Sequence, residues 1–267
     1  MSGSRAGEER AIAYVAAHGD ALARARADVL AGRAAAERVL AEVRDEDAQG
    51  PLARILHLLG VCDDHHMLRA PLAERACATL VRAQAADGSW SDATLGAAQD
   101  AVYATGMLAG YLAKMRCARP ETLDAAGAFL ASRWSPDLVQ GARWENLAAC
   151  AHYFANALHE RADEVLQWCG RELERGFRTR AFDAVRTARV FAYCDAHAVP
   201  GAQLDAQELV VALWTEQRAD GCWAPSHAIA PAQRVACTID ALIALRHLGG
   251  ASRARRPTAA RGAPARG

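Results

Sequence analysis

Two segments decide the fold: residues 80–90, LVRAQAADGSW, and residues 213–223, LWTEQRADGCW. Both contain Gln-x2-Asp-Gly-x-Trp, at Gln84, Asp87, Gly88 and Trp90 and again at Gln217, Asp220, Gly221 and Trp223. Asp-Gly permits a tight turn with positive φ at the glycine. A glutamine amide can satisfy backbone groups left open at helix ends, and an indole can fill the gap between neighbouring hairpins. Each copy follows an amphipathic stretch and precedes a more apolar one. Degenerate copies lie at Gly141-x2-Trp144 and near Phe182. The landmarks 90, 144, 182 and 223 stand 54, 38 and 41 residues apart, a loose period of about 45. That length suits one helix–loop–helix hairpin per repeat.

Composition agrees with helices. The 267 residues include 65 alanines, which favour helix and let helices approach closely. Lys+Arg and Asp+Glu are each 31, so the formal charge is zero and a nucleic-acid binder is disfavoured. Eight cysteines, at 62, 77, 117, 150, 169, 194, 222 and 237, stand singly with no CxxC pair. This reads as buried free thiols in a reducing compartment. No apolar run reaches the roughly 18 residues of a membrane span, and MSGSRAGEER lacks the apolar core of a signal peptide. The expected location is cytoplasmic. The tail after Gly250, ASRARRPTAARGAPARG, carries five arginines and nothing apolar larger than alanine, and reads as a basic disordered segment over 251–267.

The paired motifs resemble the QW repeat of squalene–hopene cyclases and, more broadly, the α/α toroid of terpenoid cyclases and protein prenyltransferases. LGAAQDAVYATGMLAGYLA and QRVACTIDALIALRHL are similar to that family's inner-ring helices. The resemblance is best over 80–115 and 204–248 and poorest before residue 50. It implies an all-α fold over 1–250, a single α/α toroid of about five helical hairpins. It also implies a central cavity for an apolar, often isoprenoid, ligand. An open helical solenoid would keep the hairpins and lose that cavity. The family's signature chemistry is missing: no Asp-x-Asp-Asp acid and no Asp-x-Cys zinc motif occurs, and there is room for one barrel where full-length squalene cyclases have two.

Helical spacing along the inner-type segments gives candidate cavity stripes. One carries Arg54 and His57, and a second Asp100, Tyr103, Met107 and Tyr111. His152 and Asn156 form a third, Asp183, Arg186, Arg189 and Tyr193 a fourth, and Asp240 interrupts the apolar VACTIDALIAL. Ionisable groups on apolar helices are costly unless paired or solvated, so the stripes suggest a wet or ligand-filled centre or a set of internal salt bridges. In a cavity, Arg54, Arg186 and Arg189 would hold a diphosphate or carboxylate. His57, Tyr103, Tyr111, Asn156 and Tyr193 would line the substrate. Asp100 and Asp240 are candidate general acids, because burial keeps a carboxyl protonated, and His152 joins them as a candidate catalytic group.

Cys62-Asp63-Asp64-His65-His66 has the residue types of a metal site, making a divalent metal a candidate cofactor. Five consecutive residues cannot all converge on one ion, so help would come from Cys194-Asp195-x-His197 or His159-Glu160. The bland alternative is histidines meeting a helix dipole and aspartates in a turn. Gly106 and Gly110 read as a close helix contact. The expected function is a divergent cyclase-like enzyme using acid-initiated cyclisation or rearrangement. The other reading is a non-catalytic scaffold for a ligand or partner protein.

Overall fold

The computed structural model describes residues 2–91, 101–224 and 230–254, and every regular element among them is helical. The helices are α1 (Ser2–His18), α2 (Ala21–Leu30), α3 (Glu37–Leu40), α4 (Leu52–Asp64), α5 (Pro71–Ala83) and α6 (Ala101–Ala113). They continue with α7 (Pro120–Arg133), α8 (Trp144–Asn156), α9 (Ala162–Arg178), α10 (Ala184–Tyr193), α11 (Ala206–Glu216) and α12 (Pro231–Ala254). Short 3-10 turns occupy Asp45–Gln49 and Pro136–Leu138.

Local chemistry sets the starts. Asp20, Asp183 and Asp205 are N-caps whose carboxylates accept from the backbone N–H of Ala23, Arg186 and Gln207. Pro71 and Pro120 open α5 and α7, where a missing N–H costs nothing. Helices of two kinds alternate. In α9 one face is buried and the other charged, whereas Ala104–Leu112 of α6 and Leu147–Phe154 of α8 are buried on all sides. The contact between α6 and α8 is close because Gly106 and Gly110 face it. A Cβ on Gly106 would lie 2.7 Å from the Ala149 carbonyl oxygen, and one on Gly110 would lie 2.4 Å from the His152 ring.

The even-numbered helices touch in succession: α4 packs on α6, α6 on α8, α8 on α10, α10 on α12 and α12 on α2. Ala25 and Val29 of α2 share a small apolar cluster with Val61 of α4. The odd-numbered helices flank them, and the 3-10 turn Asp45–Gln49 packs on both α4 and α5. Among the described residues α1 packs on α2, a pair that carries no Gln-Asp-Gly-Trp turn of its own and is met by one from elsewhere in the chain.

That docking is explicit. The Gln84 amide donates to the carbonyls of Gly88 (3.0 Å) and Thr122 (2.9 Å), tying its turn to α7. Gln217 does the same to Gly221 (3.0 Å) and Gly7 (2.8 Å), tying the last turn to α1. Trp90 Nε1 donates to Leu80 O and Trp223 Nε1 to Leu213 O, and their backbone N–H groups reach Thr105 Oγ1 and Thr238 Oγ1. Gly88 and Gly221 have φ of 86° and 92°. A Cβ on Gly88 would stand 2.1 Å from the Ala125 carbonyl oxygen. The weaker copies diverge. Phe182 is buried in its turn against Gly176, but Trp144 sits at the start of α8 with its indole N–H on Arg186 O, and Val139 is the buried residue of that turn. Residues 255–267, most of the expected basic tail, lie outside the described residues.

Candidate functional site

Four helices bring an ionic layer to one place. Asp64, the last residue of α4, accepts from Arg26 Nη2 of α2 at 2.5 Å and from Arg189 Nη1 of α10 at 2.7 Å. All three side chains are at most 10% exposed. The two guanidinium groups outweigh the effect of burial and hold the Asp64 carboxyl below its usual range. Arg189 Nε lies 3.4 Å from Asp240 Oδ1 of α12, without a hydrogen bond. Beside this layer, Lys114 Nζ pairs with Asp63 at 2.8 Å. Three cations therefore face three carboxylates, which limits the cost of placing them inside the protein.

Aromatic groups pack against the layer. The Arg189 guanidinium lies 4.7 Å over the Tyr193 ring. His152 of α8 stands between Tyr111, 4.5 Å away edge-on, and Tyr193, 5.2 Å away. Its ring is wholly buried and neither nitrogen has a hydrogen-bond partner, so burial, with Lys114 and Arg189 nearby, holds its pKa well below the usual value. Asn156 does not face the layer as a free amide: its Nδ2 donates to the His152 and Tyr193 carbonyls. It fixes α8 against α10.

Asp240 differs from the other carboxylates. It is 39% exposed, yet burial is the leading influence on it and pushes its pKa up against the pull of Arg189. Asp240 is thus partly exposed while its surroundings disfavour the charged carboxylate. Tyr103 is raised by burial first, then by Tyr193, Glu145 and Asp240, which places its hydroxyl in the same electrostatic neighbourhood. His57 is lowered by burial and then by Arg26. A cavity of about 140 Å³ is lined by Asp63, Asp64, His66, Lys114, Asp195, Arg246 and His247.

The structure thus brings together Tyr103, Tyr111, His152, Asn156, Arg189, Tyr193 and Asp240. Asp100 lies outside the described residues. Arg54 and Arg186 do not join the group. Arg54 is exposed and lies 3.7 Å from Asp47 on the acidic 3-10 turn, while Arg186 is exposed with its guanidinium 5.8 Å over the Trp144 ring. Arg189 does join it, but its charge is already committed to Asp64 and Asp240. An oxyanion clamp of Arg54, Arg186 and Arg189 is therefore not assembled. His57 lines a separate 420 Å³ groove with Arg54 and Asp47.

The expected metal cluster is dispersed by the end of α4. Asp63 and Asp64 take cationic partners, and His65 Nε2 accepts from Arg26 Nε at 3.4 Å. Burial, reinforced by Arg26, lowers His65 to about 4, and burial raises the Cys62 thiol to about 12. His66 adopts a left-handed backbone conformation, φ 58°, just past the end of α4. Among the described residues no three His, Cys, Asp or Glu side chains are grouped to hold a metal, with His159-Glu160 and the Cys194–His197 segment included. The residue that sequence reasoning missed is Arg26. In ALARARADVL it falls beside the apolar stripe of Ala23, Ala27 and Leu30, the available signal that one of several arginines points inward.

Comparison of the chain with protein-family models, with curated proteins and with solved structures gives no match.

Proposed function

We propose that the helices close into a single α/α toroid, a divergent relative of the terpenoid-cyclase group, and that the chain is an enzyme acting on an apolar, isoprenoid-like molecule held beside Asp240. Closure is supported by Gln217, which binds α1 as Gln84 binds α7. The observation that carries the functional reading is the Asp240 carboxyl: partly exposed, disfavoured as a carboxylate by its surroundings, and set in the otherwise apolar segment Val235–Leu245 of α12.

In this reading Asp240 is the general acid. Its proton passes to an alkene carbon or an epoxide oxygen, and the electron pair of the O–H bond remains on the carboxylate. Arg189 Nε–H, 3.4 Å away and without a hydrogen-bond acceptor, is placed to bond the carboxylate as it forms. Tyr103 and Tyr193 supply electron-rich walls near the developing cation. Loss of a proton from the cation to the Asp240 carboxylate restores the acid. The experiment is incubation of the full chain with isoprenoid alkenes, epoxides, free alcohols and diphosphates, followed by gas chromatography–mass spectrometry. A new isomer or hydrated product from an uncharged substrate supports the reading. Conversion of diphosphates alone would move the chemistry away from Asp240.

The second reading is a non-catalytic ligand-binding ring. It is favoured by Asp64, whose two carboxylate oxygens are already satisfied by Arg26 and Arg189, an arrangement that serves stability without any substrate.

A further inference from the structure

The cavity beside Asp63 and Asp64 lies where helix ends converge. Leu30 closes α2 and Asp64 closes α4, Lys114 follows the last residue of α6, and Asp195 stands just past the end of α10. Arg246 of α12 completes the lining and donates from Nη2 to the carbonyls of Val29 and Leu30, at 3.4 and 3.1 Å. The less exposed charges are already matched, Lys114 with Asp63 and Asp64 with Arg26 and Arg189. Two exposed ones are not. Among the described residues the Asp195 carboxylate has neither hydrogen bond nor ion pair, and Arg246 bonds those two carbonyls and no carboxylate. Opposite charges thus line one cavity without pairing with each other or with anything else of their kind.

We propose that this cavity binds a small zwitterion, an amino acid whose ammonium meets Asp195 and whose carboxylate meets Arg246. Size sets the class. A water occupies roughly 30 Å³ of the liquid, so about 140 Å³ suits a molecule on the order of five non-hydrogen atoms. Charge narrows it further. A simple anion would meet Arg246 but also the carboxylates of Asp63, Asp64 and Asp195. A metal cation would meet Lys114 and Arg246, and no three ligating side chains are grouped among the described residues. A zwitterion satisfies both open charges at once. The guanidinium has N–H groups left beyond the nitrogen it gives to α2, in the planar fork that suits a carboxylate. The carbonyl ends of α4 and α10 add negative potential that favours the ammonium. Asp240 takes no part in this site, so the proposal stands or falls apart from the enzymatic reading.

The test is isothermal titration calorimetry of the full chain at low salt with glycine, alanine, β-alanine and γ-aminobutyrate, with acetate and ethylamine as the separate halves. The expected result is one-to-one binding of at least one amino acid, about tenfold or more tighter than either half. Asp195→Asn should weaken that binding by about tenfold or more. This variant keeps the fold, since the Asp195 side chain holds no other group and asparagine tolerates its left-handed backbone, φ 49°. Acetate or ethylamine binding as tightly as the best amino acid, no heat of binding from any amino acid up to tens of millimolar, or equal binding by Asp195→Asn would each overturn the proposal.

Discussion

Asp64 and Arg189 stand 125 positions apart in the chain and 2.7 Å apart in the fold, both buried, with Arg26 closing the other carboxylate oxygen. Breaking a buried pair leaves an uncompensated charge, which is costlier than never having built the pair. Asp64→Ala strands two guanidinium groups and is expected to cost about 3–5 kcal/mol. Urea denaturation measures it. Adding Arg26→Met to Asp64→Ala should recover part of the loss, because one stranded charge is removed.

The histidines predict an acid-sensitive fold. His65 falls from 6.5 to about 4, and His152 is also depressed, so the unfolded chain binds more protons below pH 6.5. Stability is therefore full above that pH and declines as pH falls towards 4, with His65 contributing roughly 3 kcal/mol to the loss. Asp64 acts in the same direction lower down, losing its contribution as pH falls below the ordinary carboxylate range through its depressed folded value. Melting temperature against pH should thus fall in two stages, and His65→Gln should flatten the first.

Gly110 and His152 should behave as a coupled pair. A Cβ at 110 would sit 2.4 Å from the imidazole, so Gly110→Ala forces α6 and α8 apart at about 1–3 kcal/mol. Trimming the obstacle with His152→Ala should make the same glycine substitution much less damaging. A double-mutant cycle on melting data measures the coupling.

The two glutamines give a third test of packing. Gln217→Ala removes donors to Gly221 O and to Gly7 O of α1, as Gln84→Ala does for Gly88 O and Thr122 O. Each loss should cost about 1–3 kcal/mol. Hydrogen exchange should localise the effect of Gln217→Ala to α1 as well as α11, although more than 200 positions separate them.

These cases show what the sequence carries. The Gln-Asp-Gly-Trp turns were legible because each residue meets a local demand: an open carbonyl, positive φ, a gap between helices. The helical class followed from them and from alanine. The stripe Tyr103–Tyr111, the residues Arg189 and Tyr193, and Asp240 were legible from spacing, because a helix presents every third or fourth residue to one side. Arg26 and Lys114 were harder to read: the apolar stripe of α2 favours Arg26 over its exposed neighbour Arg24 for the inward side, but only Asp64, arriving from α4, gives it a partner. The five-residue run Cys62–His66 misled for the same reason. Residue types suited to a metal were adjacent in sequence, but the end of α4 sends their side chains to different partners. The N-terminal pair α1–α2 was obscure because the turn that docks on it is written at Gln217, far along the chain.

The most direct measurement of the central claim compares Asp240→Asn with the unaltered chain on an uncharged isoprenoid epoxide, reading ligand-induced thermal shift and turnover together. Arg189 keeps its bond to Asp64 in the variant, which should therefore stay folded at pH 7. It should keep the thermal shift, since asparagine matches aspartate in size, and lose turnover by at least a hundredfold, about the lower end of what a general acid contributes. Undiminished turnover in Asp240→Asn, or a native chain that neither binds nor converts the epoxide, would contradict the account.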